Sequence, residues 1–494
     1  MKQKLLAKKS IRSLAAQDSH THLRRSLGAF DLTMMGVGAI IGAGLFVLTG
    51  SAAAHYTGPA VAISFALAAF ICAFSALCYA ELASLIPGAG SVYTYAYVTL
   101  GEFVAWILGW SLTLEYLLSA STVAGGWAAY LVSLLKDFGI SISPSLSQPY
   151  MTYSPDLGLQ LGHSGANLLS MLIIALMGFL ISIGIKSAKL INNILVVIKI
   201  IVIALFVVCG IAYIHVDHWT PFIPENTGVF GQFGWSGILR GAGIVFFAFI
   251  GFDAISTLAQ ESRNPQKDMP KGMLGSLGIS TLIYAIVALV LTGVVHYTNL
   301  GVTDPMAVAF NALGPKFAWL RPFVKIAILA GLTSVILVML LGQARIFYSM
   351  SQDGLLPKIF SKTHPKFKTP VFTTAIVSLL AMTMSGLFPV EILGQLVSMG
   401  TLLGFAIVCL GVLVLRRTEP HLERPFKTPC CPWVPLLGIF TCTAQMALMP
   451  WTIWGQLLLW VVLGCVVYAF YGFKQSSVQS DSKGSNSLAK SSVS

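Results

Sequence analysis

The sequence predicts an all-α polytopic membrane protein with twelve transmembrane helices. Three observations lead to this fold class: 56% of the 494 residues are hydrophobic, only 10% are charged, and apolar residues recur in long runs. Soluble globular proteins carry about 25% charged residues, and each run supplies the roughly 20 helical residues that cross a bilayer. The composition therefore indicates a membrane protein rather than one with a large soluble core.

Each predicted span is an apolar run long enough to cross about 30 Å of hydrocarbon. The spans are numbered 1 to 12 in chain order. Their centres lie near Gly42, Phe70, Tyr116, Ala175, Ala204, Phe247, Ala285, Thr333, Leu379, Leu402, Gly438 and Leu459.

Positive charge determines the predicted orientation of these spans. An even number of spans places both termini on one side, and 24 of the 30 lysine and arginine residues fall in the two tails and the loops of that side. Cytoplasmic loops carry such an excess, so both termini are predicted to be cytoplasmic. The net charge of +12 therefore reflects topology and does not indicate a nucleic acid partner.

The spans divide the chain into five segments. Residues 1–30 are basic and lack an apolar core with a cleavage site, which predicts a retained tail rather than a signal peptide. Spans 1–5 occupy residues 31–214, spans 6–10 occupy residues 235–414, and spans 11 and 12 occupy residues 433–473. The Ser-rich tail 474–494 is predicted to be disordered.

The eight cysteines lie mostly in apolar segments and show no metal-ligand spacing. Thiols in such positions act as small packing groups. The sequence therefore predicts no metal site and no cofactor. No intramembrane His/Glu or Ser/His arrangement is visible either, so no catalytic residue and no enzyme activity is predicted.

Two spans are interrupted by glycine at matching positions. Span 1 contains Gly36, Gly38, Gly42 and Gly44, and span 6 contains GAGIVFFAFIGFDAIS, residues 241–256. Backbone leaves the helix at membrane depth only where it is buried in protein or lines a cavity. Interruptions five spans apart fit an inverted repeat of spans 1–5 and 6–10, with the substrate site at the breaks. The alternative is close helix packing through small residues.

The chemistry of an unwound segment suggests the ligand. Its free amides and the positive end of a half-helix favour a carboxylate, while its free carbonyls accept from an ammonium group. Both kinds of partner within a few ångströms suit an α-amino acid, whatever its side chain.

Lys199 is a cation inside span 5. It lies ten residues beyond Lys189, so about 15 Å deep at 1.5 Å per residue, where a charge costs about 2.5–3.5 kcal/mol. Because burial disfavours the charged form of an amine, Lys199 is predicted to exchange a proton during the working cycle. The alternative, a lysine that extends to the surface, requires a longer stem than it has.

Three further polar positions lie at membrane depth. Glu115 in span 3 is predicted to line the cavity or to partner a buried cation. Asp253, just after the span 6 break, either caps the second half-helix or takes part in proton transfer. Thr333 and Ser334 in span 8 either serve their own backbone or hydrogen-bond an ion or amine that faces span 1.

Several motifs together resemble the amino acid–polyamine–organocation superfamily, and within it the cationic amino acid transporter family with its bacterial members. They include LRRSLGAFDLTMMGVGAIIGAGLFVLTG (23–50), FFAFIGFDAISTLAQESRNPQKDMP (246–270) and LTSVILVMLLGQARIFYSMSQDGLLP (332–357). The resemblance runs from about residue 23 to the end of span 12. It implies a leucine-transporter-like 5+5 inverted repeat that works by alternating access.

The resemblance also assigns roles to residues. It implies that backbone amides at positions 42–44 hold the substrate carboxylate, that Phe247 covers the substrate, and that Lys199 replaces the sodium ion of sodium-coupled relatives. The predicted substrate-binding residues are Ile40, Ile41, Gly42, Ala43, Gly44, Glu115, Phe246, Phe247, Ala248, Ile250 and Asp253, and the predicted proton-coupling residues are Lys199, Thr333 and Ser334.

The predicted function is secondary active import of L-amino acids across the plasma membrane, coupled to protons, in a bacterial inner membrane. An apolar lining near Leu329 and Ala330 favours a broad range of neutral amino acids. Glu115 keeps cationic substrates such as arginine and lysine as the alternative, together with exchange of amino acids or polyamines. An ion channel is the distant alternative, because no carbonyl filter sequence or charged ring is visible. The predicted partners are the substrate, the proton and the lipid bilayer; the sequence does not determine the oligomeric state.

Overall fold

The computed structural model describes residues 8–9, 27–86, 91–154, 158–162, 165–183, 188–317, 319–367 and 369–476. Of the predicted disordered tail 474–494, Lys474 and Gln475 are helical, which departs from the prediction, and residues 477–494 lie outside the described residues. Most of the predicted N-terminal basic segment also lies outside the described residues.

Helices account for most of the described chain. We label them α1 Ala29–Ile40, α2 Thr49–Ala52, α3 Val61–Leu85, α4 Ser91–Thr99, α5 Glu102–Asp137, α6 Pro144–Ser147, α7 Leu168–Ile183, α8 Ala188–Ile211, α9 Gly234–Val245, α10 Pro265–Val294, α11 Pro305–Ala312, α12 Arg321–Gln352, α13 Val371–Leu387, α14 Val390–Thr418, α15 Trp433–Ala447, α16 Trp451–Val467 and α17 Phe473–Gln475. Short π-helical segments cover Gly44–Leu48, Ala53–Thr57 and Tyr468–Gly472, and 3-10 turns cover Gly58–Ala60, Val216–Trp219, Phe246–Phe249, Asp253–Glu261, Tyr297–Leu300, Pro315–Phe317 and Lys358–Ser361.

One hairpin departs from the all-α prediction. Strands β1 Met151–Ser154 and β2 Gly158–Leu161 pair antiparallel, with Met151 opposite Leu161. They lie in the connection between predicted spans 3 and 4.

The helices agree with the prediction of a membrane protein. Among the described residues, eight helical segments are long and apolar enough to cross a membrane, and one of them, Ala29–Leu85, contains predicted spans 1 and 2. The centres of predicted spans 4, 9 and 11 lie in the shorter apolar helices α7, α13 and α15. The count of twelve spans and the division into two five-span repeats remain predictions.

Both glycine-rich spans are interrupted. α1 ends at Ile40, Ile41 is extended with φ −72° and ψ 102°, and the chain becomes π-helical at Gly44. In span 6, α9 gives way to a 3-10 turn, Ile250 is extended with ψ 134°, and Gly251 has φ +116°. A φ in that region favours glycine, since a side chain is strained there.

Helix packing brings the two breaks together in the interior. α1 packs against α8 and α10, and the turn Phe246–Phe249 contacts the π-helical segment Gly44–Leu48. A Cβ on Gly44 would lie 2.2 Å from the Cα of Ala248, so only glycine allows this backbone approach. α5, which carries Glu115, packs along α12 and α14.

Candidate functional site

The break in span 1 is held by the buried amine of Lys199. The Lys199 Nζ donates to the carbonyl oxygens of Gly38 at 2.9 Å and Ile41 at 3.0 Å, and the residue is 1% exposed. Carbonyls at the end of a helix lack intrahelical partners, and a membrane interior offers no water to replace them. The lysine that sequence analysis singled out therefore satisfies the backbone that the break leaves open.

α12 shapes the space around that amine. A Cβ on Gly331 would lie 2.7 Å from the Lys199 Cε, so this glycine leaves room for the lysine stem. The Ser334 hydroxyl, three residues on, donates to the Gly331 carbonyl at 2.8 Å. The Thr333 hydroxyl donates to the Leu329 carbonyl at 2.8 Å and accepts from Trp127 at 3.0 Å. In this structure both hydroxyls donate to their own backbone, and their part in proton coupling remains a prediction.

Tyr284 of α10 connects the two breaks, and sequence analysis did not identify it. Its hydroxyl lies 2.9 Å from the Ile40 carbonyl oxygen and 2.7 Å from the Ala248 carbonyl oxygen, and donates its one proton to either. The residue is fully buried. A single phenol inside the apolar run STLIYAIVALV was the available signal, because a buried tyrosine hydroxyl needs a partner.

Asp253 stabilises the break in span 6. One carboxylate oxygen accepts from the Gly251 amide at 3.1 Å, and the other accepts from the Tyr116 hydroxyl at 3.3 Å. The residue is fully buried. The contact with Gly251 is a local side-chain-to-backbone bond. The Gly251 amide precedes the second half-helix, the 3-10 turn Asp253–Glu261, whose N-cap residue is Phe252, so both roles predicted for Asp253 remain predictions.

Glu115 lies in a seam of buried polar groups between α5 and α14. The residue is 3% exposed, and its Oε1 has no hydrogen-bond partner among the described residues. The same holds for the side-chain oxygens of Ser111 and Ser119 on α5 and of Gln395 and Ser398 on α14. Buried polar atoms without partners are costly, so this seam is suited to take up a polar group.

The predicted substrate-binding residues of spans 1 and 6 lie together and are closed off. Phe247 is 5% exposed, Ile250 is 4% exposed, and Ile41 and Ala43 are fully buried. The Gly42 carbonyl accepts from the amides of Leu45 and Phe46 at 3.2 Å each, where the second half of span 1 begins. Contacts of these residues with a substrate remain predictions.

The fold and the site define a class of protein. Two interrupted helices meet inside a bundle of apolar helices, as in membrane transporters with discontinuous helices, and carbonyls of the first one contact a buried amine. A sequence model of the amino acid permease family matches residues 27–482, and the chain belongs to this family. The resemblance identified from the motifs is confirmed, and the protein is a membrane transporter.

Individual relatives match over most of their length. The chain is 41% identical over 480 residues to the branched-chain amino acid permease BcaP of Bacillus subtilis (strain 168), covering 97% of this chain and 100% of the relative. It is 40% identical over 474 residues to the methylthioribose transporter of the same organism, covering 96% and 98%. It is 36% identical over 413 residues to the vacuolar cationic amino acid transporter 4 of Arabidopsis thaliana, covering 82% and 66%.

Proposed function

We propose that the protein imports neutral L-amino acids by alternating access, coupled to protons, in a bacterial inner membrane with both termini in the cytoplasm. The observation that carries the proposal is the contact of the Lys199 Nζ with the carbonyl oxygens of Gly38 and Ile41. The excess of lysine and arginine in the tails and the loops on their side supports the orientation. The burial of residues from both breaks supports alternating access, since a substrate reaches them only after helices move.

The coupling follows from the chemistry of the amine. A protonated lysine carries three donors and a full charge, and it attracts both carbonyls at the end of α1. When the proton leaves, that charge is lost and both contacts weaken. The first half of span 1 is then released, so proton occupancy at Lys199 biases the conformational equilibrium.

The backbone of the two breaks supports an α-amino acid. Under this proposal, amides at positions 42–44 bind the substrate carboxylate, and the carbonyls of Ile40, Phe247 and Ile250 accept from the substrate ammonium group. One carbonyl oxygen has two lone pairs, so Ile40 accepts from Tyr284 and from a substrate at once. Methylthioribose has neither an ammonium group nor a carboxylate, so these backbone groups favour amino acids over the substrate that names one relative.

Side-chain preference is decided elsewhere in the site. The name of one relative, a branched-chain amino acid permease, and the apolar lining near Leu329 support neutral substrates. Arginine and lysine are the second candidate, because the buried Glu115 has a carboxylate oxygen without a partner among the described residues, as a cation-binding pocket requires.

The test is uptake into proteoliposomes with and without an inward proton gradient, competed by all twenty amino acids and by methylthioribose. Lys199→Ala is expected to abolish gradient-driven accumulation while substrate still binds. Lys271→Ala is the matched control, because Lys271 is exposed. Accumulation by Lys199→Ala equal to that of the wild type would refute the coupling. Uptake that requires internal substrate at every pH gradient would show an exchanger instead.

A further inference from the structure

A groove opens between α7 and α13, away from both breaks. The two helices pack along each other, and a cavity of about 500 Å³ remains between them, within the range of about 300–1,000 Å³ of ligand sites. The walls of this groove are mostly apolar. They include Ala175, Gly178, Phe179, Val371, Ala375 and Ser378.

The groove is open to the surface of the helix bundle, and the polar residues of its lining are Ser182, His364 and Ser378. Phe179 is 63% exposed, as expected of a side chain that contacts lipid. Ser378 is 7% exposed, and its hydroxyl has no hydrogen-bond partner among the described residues. A Cβ on Gly178 would lie 2.2 Å from that hydroxyl, so the glycine leaves the space that Ser378 occupies. The groove therefore offers a mostly apolar surface.

A basic loop closes one end of the groove. His364 and Phe367 line this end, and their rings stack at 4.9 Å. The Nδ1 of His364 accepts from the amides of Lys366 and Phe367 at 3.3 and 3.4 Å. The Thr369 hydroxyl donates to the Ser182 carbonyl at 2.6 Å and ties the loop to α7.

The net charge of this loop is positive. Residues 353–370, which connect α12 and α13, contain four lysines, one histidine and one acidic residue, Asp353, which pairs with Lys9. The Nζ of Lys366 lies 5.7 Å from the centroid of the Phe367 ring, which lines the groove. Lysines at the membrane surface attract anionic headgroups, and basic pockets between membrane helices bind them.

We propose that the groove between α7 and α13 binds one anionic phospholipid. An acyl chain lies along the apolar wall, and the phosphate lies at the loop that carries His364 and Lys366. A free anion has no acyl chain to bury against the apolar wall. A zwitterionic lipid has no net charge and is attracted less strongly by the basic loop. The apolar wall and the basic loop together therefore favour an anionic phospholipid. α13 packs against α5, which carries Glu115, and against α12, which carries the Gly331 that contacts Lys199. The bound lipid therefore stabilises helices that reach the candidate site.

The experiment measures lipid binding directly, independent of transport. The purified full-length protein is delipidated, equilibrated with phosphatidylglycerol or phosphatidylcholine, and examined by native mass spectrometry and by thermal unfolding. We expect one tightly retained phosphatidylglycerol and a higher apparent Tm with it than with phosphatidylcholine. Inorganic phosphate is the control for a free anion, and it should not raise the Tm.

Two variants locate the site. Ala375→Trp fills the groove and is expected to remove the retained lipid. Leu379→Trp is the matched control. Leu379 lies on the same helix and is 62% exposed, but it does not line the groove. Lys366→Gln changes only the surface and is expected to weaken phosphatidylglycerol binding about fivefold, with phosphatidylcholine unaffected.

Equal retention of the two lipids by the wild type would refute the proposal. Retention of phosphatidylglycerol by Ala375→Trp at the wild-type level would also refute it, as would stabilisation by phosphate alone or retention that depends on dimer formation. If Ala375→Trp does not fold, Lys366→Gln still decides, since unchanged lipid selectivity in that variant contradicts the assigned headgroup position.

Discussion

Tyr284→Phe removes a single hydroxyl that serves both broken helices. The hydroxyl lies 2.9 Å from the Ile40 oxygen and 2.7 Å from the Ala248 oxygen, and both residues are at most 2% exposed. A buried acceptor that loses its donor costs about 1–3 kcal/mol. The hydroxyl has one proton and donates it to one of the two carbonyls at a time, so the variant loses one hydrogen bond. We therefore expect the free energy of unfolding to fall by about 1–3 kcal/mol.

The substitution isolates the hydroxyl because the ring is retained. The Tyr284 ring packs on Phe65 and Phe249 at centroid distances of 5.1 and 5.3 Å, contacts that phenylalanine preserves. The assay combines thermal unfolding of the purified protein with initial rates of uptake, and both are expected to fall. Tyr213→Phe is the matched control, since Tyr213 lies outside both breaks, in the turn after α8. Wild-type stability and uptake in Tyr284→Phe would refute the role assigned to this hydroxyl.

Three other predictions concern the close backbone contact between spans 1 and 6, the recognition of substrate charge by Glu115, and the ion pair between Asp137 and Lys325. Gly44→Ala is expected to lower the yield of folded protein, because its Cβ would lie 2.2 Å from a backbone atom of span 6. Gly42→Ala is the control and should fold, because the nearest atom to its Cβ is 3.4 Å away. Size-exclusion profiles compare the two variants, and equal profiles would contradict the close approach at Gly44. Glu115→Gln should reduce arginine uptake far more than leucine uptake if the carboxylate reads positive charge, while equal losses would make it structural. Asp137→Asn removes the carboxylate that lies 2.6 Å from the buried Nζ of Lys325. Breaking a fully buried ion pair costs roughly 3–5 kcal/mol. Because Asp137 is 25% exposed, we expect a smaller loss of stability, about 1–3 kcal/mol. The double variant Asp137→Asn/Lys325→Met should recover much of that loss in thermal unfolding.

The breaks and the buried amine can be located from the sequence because these features are rare at membrane depth. Glycine clusters and a lysine inside apolar runs stand out against the hydrophobic background without any knowledge of packing. The role of Tyr284 was missed because a tyrosine in an apolar run indicates that its hydroxyl needs a partner but does not identify that partner. The hairpin β1–β2 was missed because it lies outside the apolar runs on which the span count depends.

The roles of single glycines also needed the structure. Gly44 was predicted to expose amides to a substrate carboxylate, and the fold shows that its missing side chain is required for contact with Ala248 of span 6. Gly331 was not singled out at all, although it makes room for the Lys199 stem. A glycine in an apolar run indicates a close approach but does not identify the group that approaches.

The sequence alone determined that this protein is a helical membrane transporter with interrupted spans 1 and 6 and a lysine at depth. Hydrophobicity, charge and glycine content are local properties, and the bilayer acts on each segment of the chain separately. Only the tertiary structure decided that the Lys199 amine binds the Gly38 and Ile41 carbonyls, that Tyr284 joins the two breaks, and that a groove lies between α7 and α13. Hydrogen bonds and cavities between distant segments depend on how helices pack, because a donor finds its acceptor only once the fold has brought them within about 3 Å.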